Sequence, residues 1–283
     1  MEFNKDLEFN LESLRTGYSR FFDMTDLEPL PVDEELSLNT LVPLKELRDS
    51  WYFLKLIVDK SYNYYYYKKI TSLKDMLNEL IGVEVSKYMC LPTVEYSIAE
   101  ENGNISGLLS KNFNDPDKNY INSDSIKELN HYKRLRNLLL DSTPDFQNKG
   151  VKKLITTYFM NNFYLSLKDR TTNSKCYIDG MDVFIAPIFD YESAFLDPEM
   201  VNYIDPLFLH QISINKKVVS GIEKANNTFN EVVDKLNELN IKKIMDKVQD
   251  KNNIFIPNEI KEYYIDYDNK RREHMKTLGI KIK

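Results

Sequence analysis

The sequence predicts an α+β chain with a sheet-rich N-terminal half and a mainly helical C-terminal half. Three observations carry that expectation. Between residues 51 and 69 apolar and aromatic residues fall in short strand-like blocks. From residue 72 the apolar spacing changes to three and four. Beyond residue 125 helical periodicity dominates to the end.

The elements follow in order. Residues 1–48 are acidic and irregular, and LEPLPVDEEL, with two prolines, reads as a loop. Trp51 to Asp59 (WYFLKLIVD) is aromatic and β-branched, a buried strand interrupted by Lys55. SYNYYYYKK suits a strand or strand edge, its tyrosines forming a half-buried amphipathic surface. Leu73, Met76, Leu77, Leu80, Ile81, Val85 and Met89 then describe an amphipathic helix. Ser72 is its N-cap, Asp75 holds the capping-box position, and Pro92 ends it. TVEYSIAE and ISGLLSKNF flank the turn ENGN as a hairpin.

In the second half, residues 125–141 and 148–167 have helical spacing. CYI and VFIAPIF flank DGMD as a second hairpin. Phe229, Val232, Val233, Leu236, Leu239, Ile244 and Val248 form one stripe, read as packing on the domain's own core rather than as a coiled coil. Asn258 is expected to cap a helix after Pro257.

Composition narrows the function classes. A chain of 283 residues with 42% hydrophobic content can bury a real core. A net charge of −6, with both signs scattered, argues against a nucleic-acid binder relying on bulk charge. No apolar run approaches the roughly 20 residues of a membrane span, and MEFNKDLEFN lacks a signal-like apolar region. Cys90 and Cys176 sit in mainly apolar stretches and read as buried free thiols, which suits a reducing cytoplasm.

Carboxylates are the residues that could do chemistry. His131, His210 and His274 have no second ligand at zinc spacing, and neither a P-loop nor a Rossmann fingerprint occurs. Two polar clusters stand out. LKDRTTNS places Asp169, Arg170, Asn173 and Ser174 after an apolar helix, and IAPIFDYESAF places Asp190 after a strand-like run. Phosphoryl transfer needs one carboxylate for the attacking hydroxyl, and a second with an amide oxygen for magnesium. It also needs a strand lysine on the phosphates, fixed by a helix glutamate. Lys55, Glu79, Asp169, Asn173 and Asp190 fit those roles in type and order.

These segments resemble those of the HipA-like serine/threonine kinases. NELIGVEVSKYMCLPTVEY (78–96) resembles the family's segment in which an Asn-Glu pair opens a helix running into a strand. GLLSKNF (107–113) resembles the strand entering its hinge, DRTTNS its catalytic loop, and IAPIFDYESAF its metal-binding segment. The resemblance spans roughly residues 50–196. It implies a bilobal protein-kinase-like fold using ATP and Mg2+, with Asp169 as catalytic base and Lys55, supported by Lys111, as the cofactor-binding lysine. Glu79 becomes the partner of Lys55, chosen over Glu84 because it follows Asn78. Asn173 and Asp190 become the metal ligands.

Two departures are visible. Thr171 stands where the family has histidine, and Asn173 falls one position early, leaving Ser174 in the ligand place. No glycine occurs between residues 20 and 54 to build a phosphate-covering loop.

The expected organisation is an N-terminal extension (1–48), a sheet-rich lobe (49–115) and a helical lobe (116–283) carrying both loops. The resemblance further implies a cytoplasmic toxin or effector kinase with a protein substrate and an antitoxin or regulatory partner, with no membrane and no direct nucleic-acid binding. A small-molecule kinase and a catalytically silent binding module remain alternatives.

Overall fold

The structure is a computed structural model. It describes residues 10–24, 28–29, 54–58, 61, 63–112, 121–122, 156–157, 160, 164–165, 175–179, 182–195, 228–277 and 279–283. The helices expected over 125–141 and 148–167, and the boundary near 113–120, lie essentially outside these residues.

The strands are β1 (Phe22–Asp23), β2 (Glu28–Pro29), β3 (Leu54–Val58), β4 (Tyr64–Lys69), β5 (Tyr96–Glu101), β6 (Asn104–Lys111), β7 (Ile121–Asn122), β8 (Lys175–Asp179) and β9 (Asp182–Ile185). The helices are α1 (Leu73–Tyr88), α2 (Thr228–Glu238), α3 (Ile241–Asn252) and α4 (Asn258–Thr277). Six strands form one sheet in the order β1-β5-β6-β4-β3-β2, parallel at β1–β5 and antiparallel elsewhere. β7, β8 and β9 form a second, antiparallel sheet.

The tyrosine-rich β4 is a central strand, hydrogen-bonded to both β3 and β6. Its pleat divides the residues between two cores. Tyr66 belongs, with Leu56, Ile98 and Leu108, to the main core that includes α1. Tyr67 belongs, with Ile57, Ala99 and Leu109, to a small cluster on the other face. β4 and β6 approach closely because Gly107 has no side chain. A Cβ there would lie 2.2 Å from the Lys68 carbonyl oxygen. The β5–β6 hairpin turns on Asn102 and Gly103, with φ of 53° and 79°, the left-handed pair that a two-residue turn demands.

Helix α1 begins where the sequence expects it: the Ser72 hydroxyl accepts the Asp75 N–H at 3.3 Å. Most of α1 is buried, including Asn78, Glu79 and Glu84. Three expectations need correction. Glu28–Pro29, read as loop, pairs with β3 as a short antiparallel strand. Cys90 is an exposed free thiol rather than a buried one, because the chain leaves α1 there with φ 59°. The Lys235 ammonium donates to its sulfur at 2.8 Å. Finally, α4 starts at Asn258 itself, and the Pro257 carbonyl accepts the N–H groups of Ile260 and Lys261.

The apolar stripe of 229–248 is two helices, interrupted at Leu239–Asn240, where Asn240 caps α3 by accepting the Lys243 N–H at 3.1 Å. Its residues from Val232 to Val248 enter the main core together with α1, and α3 packs on α1. Arg272 of α4 donates to the carbonyls of Leu236 and Leu239 at 3.1 and 3.0 Å, tying α4 to the end of α2. Among the described residues no helix is long and apolar enough to cross a membrane.

Candidate active site

The site assembles around a half-buried ammonium. Lys68, on β4, donates to Glu79 Oε1 at 2.6 Å and to Asp190 Oδ1, and forms an ion pair with Glu192 Oε2 at 2.9 Å. β4 supplies the lysine because Lys68, two residues beyond Tyr66, shares the face turned to α1. Helix α1 supplies Glu79, which is fully buried. The segment after β9 supplies Asp190 and Glu192.

Electrostatics keep this lysine charged. Burial opposes its positive charge, yet Glu79 and Asp190, with Tyr96 and Glu192, outweigh that and hold its pKa well above the ordinary lysine value. Burial lifts the Glu79 carboxyl above its ordinary value, and Lys68 pulls it back only in part.

The loop 190–195 is clasped from several sides. Its backbone enters at Asp190 with φ 66°, a left-handed conformation uncommon for a residue with a side chain. Glu79 Oε2 accepts the Tyr191 N–H at 2.8 Å, so one carboxylate binds both the lysine and the loop. Asn78 is fully buried, and its amide donates to the carbonyls of Glu192 (2.7 Å) and Ala194 (2.9 Å). The Asn-Glu pair thus works as two adjacent clamps on the loop that carries Asp190.

Tyr191 plugs into α1. Its hydroxyl contacts Ser86 at 2.9 Å and Thr93 at 3.0 Å, and its ring lies over Gly82, where a Cβ would come within 2.6 Å. Just upstream, Ile188 forms a parallel bridge with Thr93, exchanging backbone hydrogen bonds with Pro92 and Val94. The Asp190 N–H points to the buried Tyr96 hydroxyl at 3.4 Å.

Helix α4 holds the loop's far end. Tyr264 donates to Asn78 Oδ1 at 2.8 Å, and Tyr263 donates to the Phe195 carbonyl at 2.9 Å. The Phe195 ring packs edge-on against Tyr264 and Tyr267, with centroids 5.2 and 5.3 Å away.

The structure brings together two of the residues expected from the sequence, Glu79 and Asp190, and it corrects the lysine. The lysine that meets Glu79 is Lys68, not Lys55. In the β3–β4 register Leu54 lies opposite Lys68 and Lys55 opposite Tyr67, so the two lysines occupy alternate positions of the pleat. Lys111 is exposed at the end of β6, three residues from Leu108, the partner of Lys68, and so on the opposite face. Glu84 faces elsewhere, in a network with Lys87, Lys247 and Lys251. Asp169, Asn173 and Ser174 lie outside the described residues.

Glu192 was not anticipated. Its signal was its place two residues after Asp190, within the same polar cluster. Carboxylate oxygens of Glu79, Asp190 and Glu192 lie within 4.8 Å of one another. Glu79 is engaged inward by Lys68 and Tyr191, whereas Asp190 and Glu192 are partly exposed. Two outward hard-oxygen donors beside one ammonium suit a divalent cation carrying a phosphate chain.

No family model matches this sequence, and no curated protein matches it. Among solved structures the fold is similar to that of the Helicobacter pylori proinflammatory kinase CtkA, with a TM-score of 0.52 at 13% identity. That match covers 90% of this chain and 95% of the other. A second match is to a chain from the Shewanella oneidensis MR-1 toxin–antitoxin complex of HipA, HipB and operator DNA. There the TM-score is 0.43 at 11% identity, covering 74% of this chain and 56% of that one.

Proposed function

We propose that this chain is an ATP- and Mg2+-dependent phosphotransferase of the HipA-like kind, transferring the γ-phosphoryl group to a serine or threonine hydroxyl of a protein. One observation carries the reading. A strand lysine, a buried helix glutamate and a loop aspartate meet at one ammonium. Protein-kinase-type phosphoryl transfer uses that set, and a purely structural ion pair would not need the third member. The α+β fold shared with a kinase is consistent with it.

In this reading Lys68 holds phosphate oxygens and Glu79 fixes its position. Magnesium, when bound, neutralises charge developing on the phosphates. Asp190 presents its carboxylate to that ion, with Asn173 as the second protein ligand. Asp169 orients the acceptor hydroxyl and takes its proton. The toxin or effector role, and the antitoxin or regulatory partner, come from the motif resemblance alone.

The test is transfer of labelled phosphate from ATP to the chain itself or to a protein extract. Asp190→Asn should lower transfer by at least ~100-fold, the scale of a lost metal carboxylate. Circular dichroism should show the fold retained. Near-normal transfer by this variant would remove Asp190 from the metal site, and the absence of transfer by the wild type with every acceptor class would refute the reading.

A further inference from the structure

Lys68 donates to two carboxylates, Glu79 and Asp190, and a third, Glu192, stands in ion-pair contact with it at 2.9 Å. The local charge is therefore three negatives and one positive, a net of −2. A phosphate reaching Lys68 must displace one carboxylate. Glu79 cannot leave, being fully buried and tied to the Tyr191 N–H. Asp190 sits on a backbone held at its own N–H by Tyr96 and at the next N–H by Glu79. Glu192 is the member whose side chain is 48% exposed, so it stands on the solvent side of the ammonium. Its backbone stays in place, because Asn78 holds its carbonyl at 2.7 Å, so a carboxylate released from Lys68 remains beside the site.

We infer that Glu192 is a specificity-determining residue that makes nucleotide binding depend on the divalent cation. This rests on the nucleotide reading above. A bare triphosphate arriving at Lys68 meets two outward carboxylates and is repelled. A triphosphate already carrying magnesium presents a cation to those same oxygens, and the repulsion becomes attraction. Lys68 is then released from Glu192 to the phosphate, while Glu79 keeps it in place.

The experiment is calorimetric or equilibrium-dialysis binding of the non-hydrolysable analogue adenylyl imidodiphosphate to the full chain, once with excess magnesium and once with EDTA. Wild type should bind the magnesium form more tightly by at least ~30-fold, as expected for charges meeting in a partly screened site. Glu192→Gln should shrink that ratio to about 5-fold or less, by tightening the metal-free arm and weakening the magnesium arm. Glu192→Asp, which keeps the charge, should restore most of the ratio. If Glu192→Gln leaves the metal-free arm unchanged, or weakens both arms equally, Glu192 has no such role and the inference falls alone. If the wild type binds the analogue in neither arm, the nucleotide reading falls with it.

Discussion

Asn78 is a single amide that organises three separate segments. Its side chain is fully buried, donates to two loop carbonyls and accepts from Tyr264. Asn78→Asp keeps the shape but replaces an amide donor with an acceptor facing the carbonyls of Glu192 and Ala194. Two buried acceptors would lose their partner beside a new charge, which should cost about 2–4 kcal/mol. Chemical denaturation would measure this as a fall in midpoint at an unchanged slope. A change below ~0.5 kcal/mol would mean that the clasp contributes little. The same residue shows what a sequence can offer at this scale. The Asn-Glu pair stood out and Glu79 was expected to hold a lysine, but the backbone contacts of both residues depended on a loop more than a hundred residues away.

Helix α1 serves two regions through one buried face and its flanking charges. Glu79 looks to Lys68 and the loop, whereas Glu84 ties the helix to α3 through Lys247 at 2.9 Å and Lys251 at 3.0 Å. Burial would raise the Glu84 carboxyl, but Lys247, Lys251 and Lys87 outweigh it and hold the pKa below the ordinary 4.5. A carboxyl with a depressed folded pKa stabilises the fold above its unfolded value, and that contribution is lost as pH falls through the folded one. Glu84→Gln should therefore lower stability at pH 7 by about 1–2 kcal/mol, the lysines being partly exposed. The difference from wild type should close as pH drops below 4.5. Thermal melts across that range would show it, and a difference independent of pH would exclude an electrostatic origin.

The helix itself was legible from spacing and from its Ser72 cap. The central place of β4 was not. Its run of tyrosines reads as a strand or strand edge with a half-buried surface, and only pairing on both sides shows which of its alternate positions faces α1. WYFLKLIVD drew the lysine assignment because a lone charge in an apolar strand is conspicuous. Lys68 stands beside another lysine at the end of β4, and nothing in the sequence singles it out.

Across the whole molecule the C-terminal helices do more than their sequence suggested. The stripe of α2 and α3 was visible as a period, and it does join the common core. The tyrosines of α4 carried no motif, yet Tyr263, Tyr264 and Tyr267 line up at one- and four-residue spacing to hold Phe195, Asn78 and the Tyr164 carbonyl. A far segment of the chain thus braces the loop bearing Asp190. This arrangement makes the identity of the lysine the most discriminating question, since it links a central strand, a buried helix glutamate and that loop. The direct measurement is phosphoryl transfer by Lys68→Ala, Lys68→Arg and Lys55→Ala, each checked for folding by circular dichroism. Both Lys68 variants should lose at least ~100-fold, the arginine because its planar fork cannot replace a compact ammonium here, while Lys55→Ala stays within about 3-fold of wild type. Near-normal transfer by folded Lys68 variants, with a large loss in Lys55→Ala, would contradict this account.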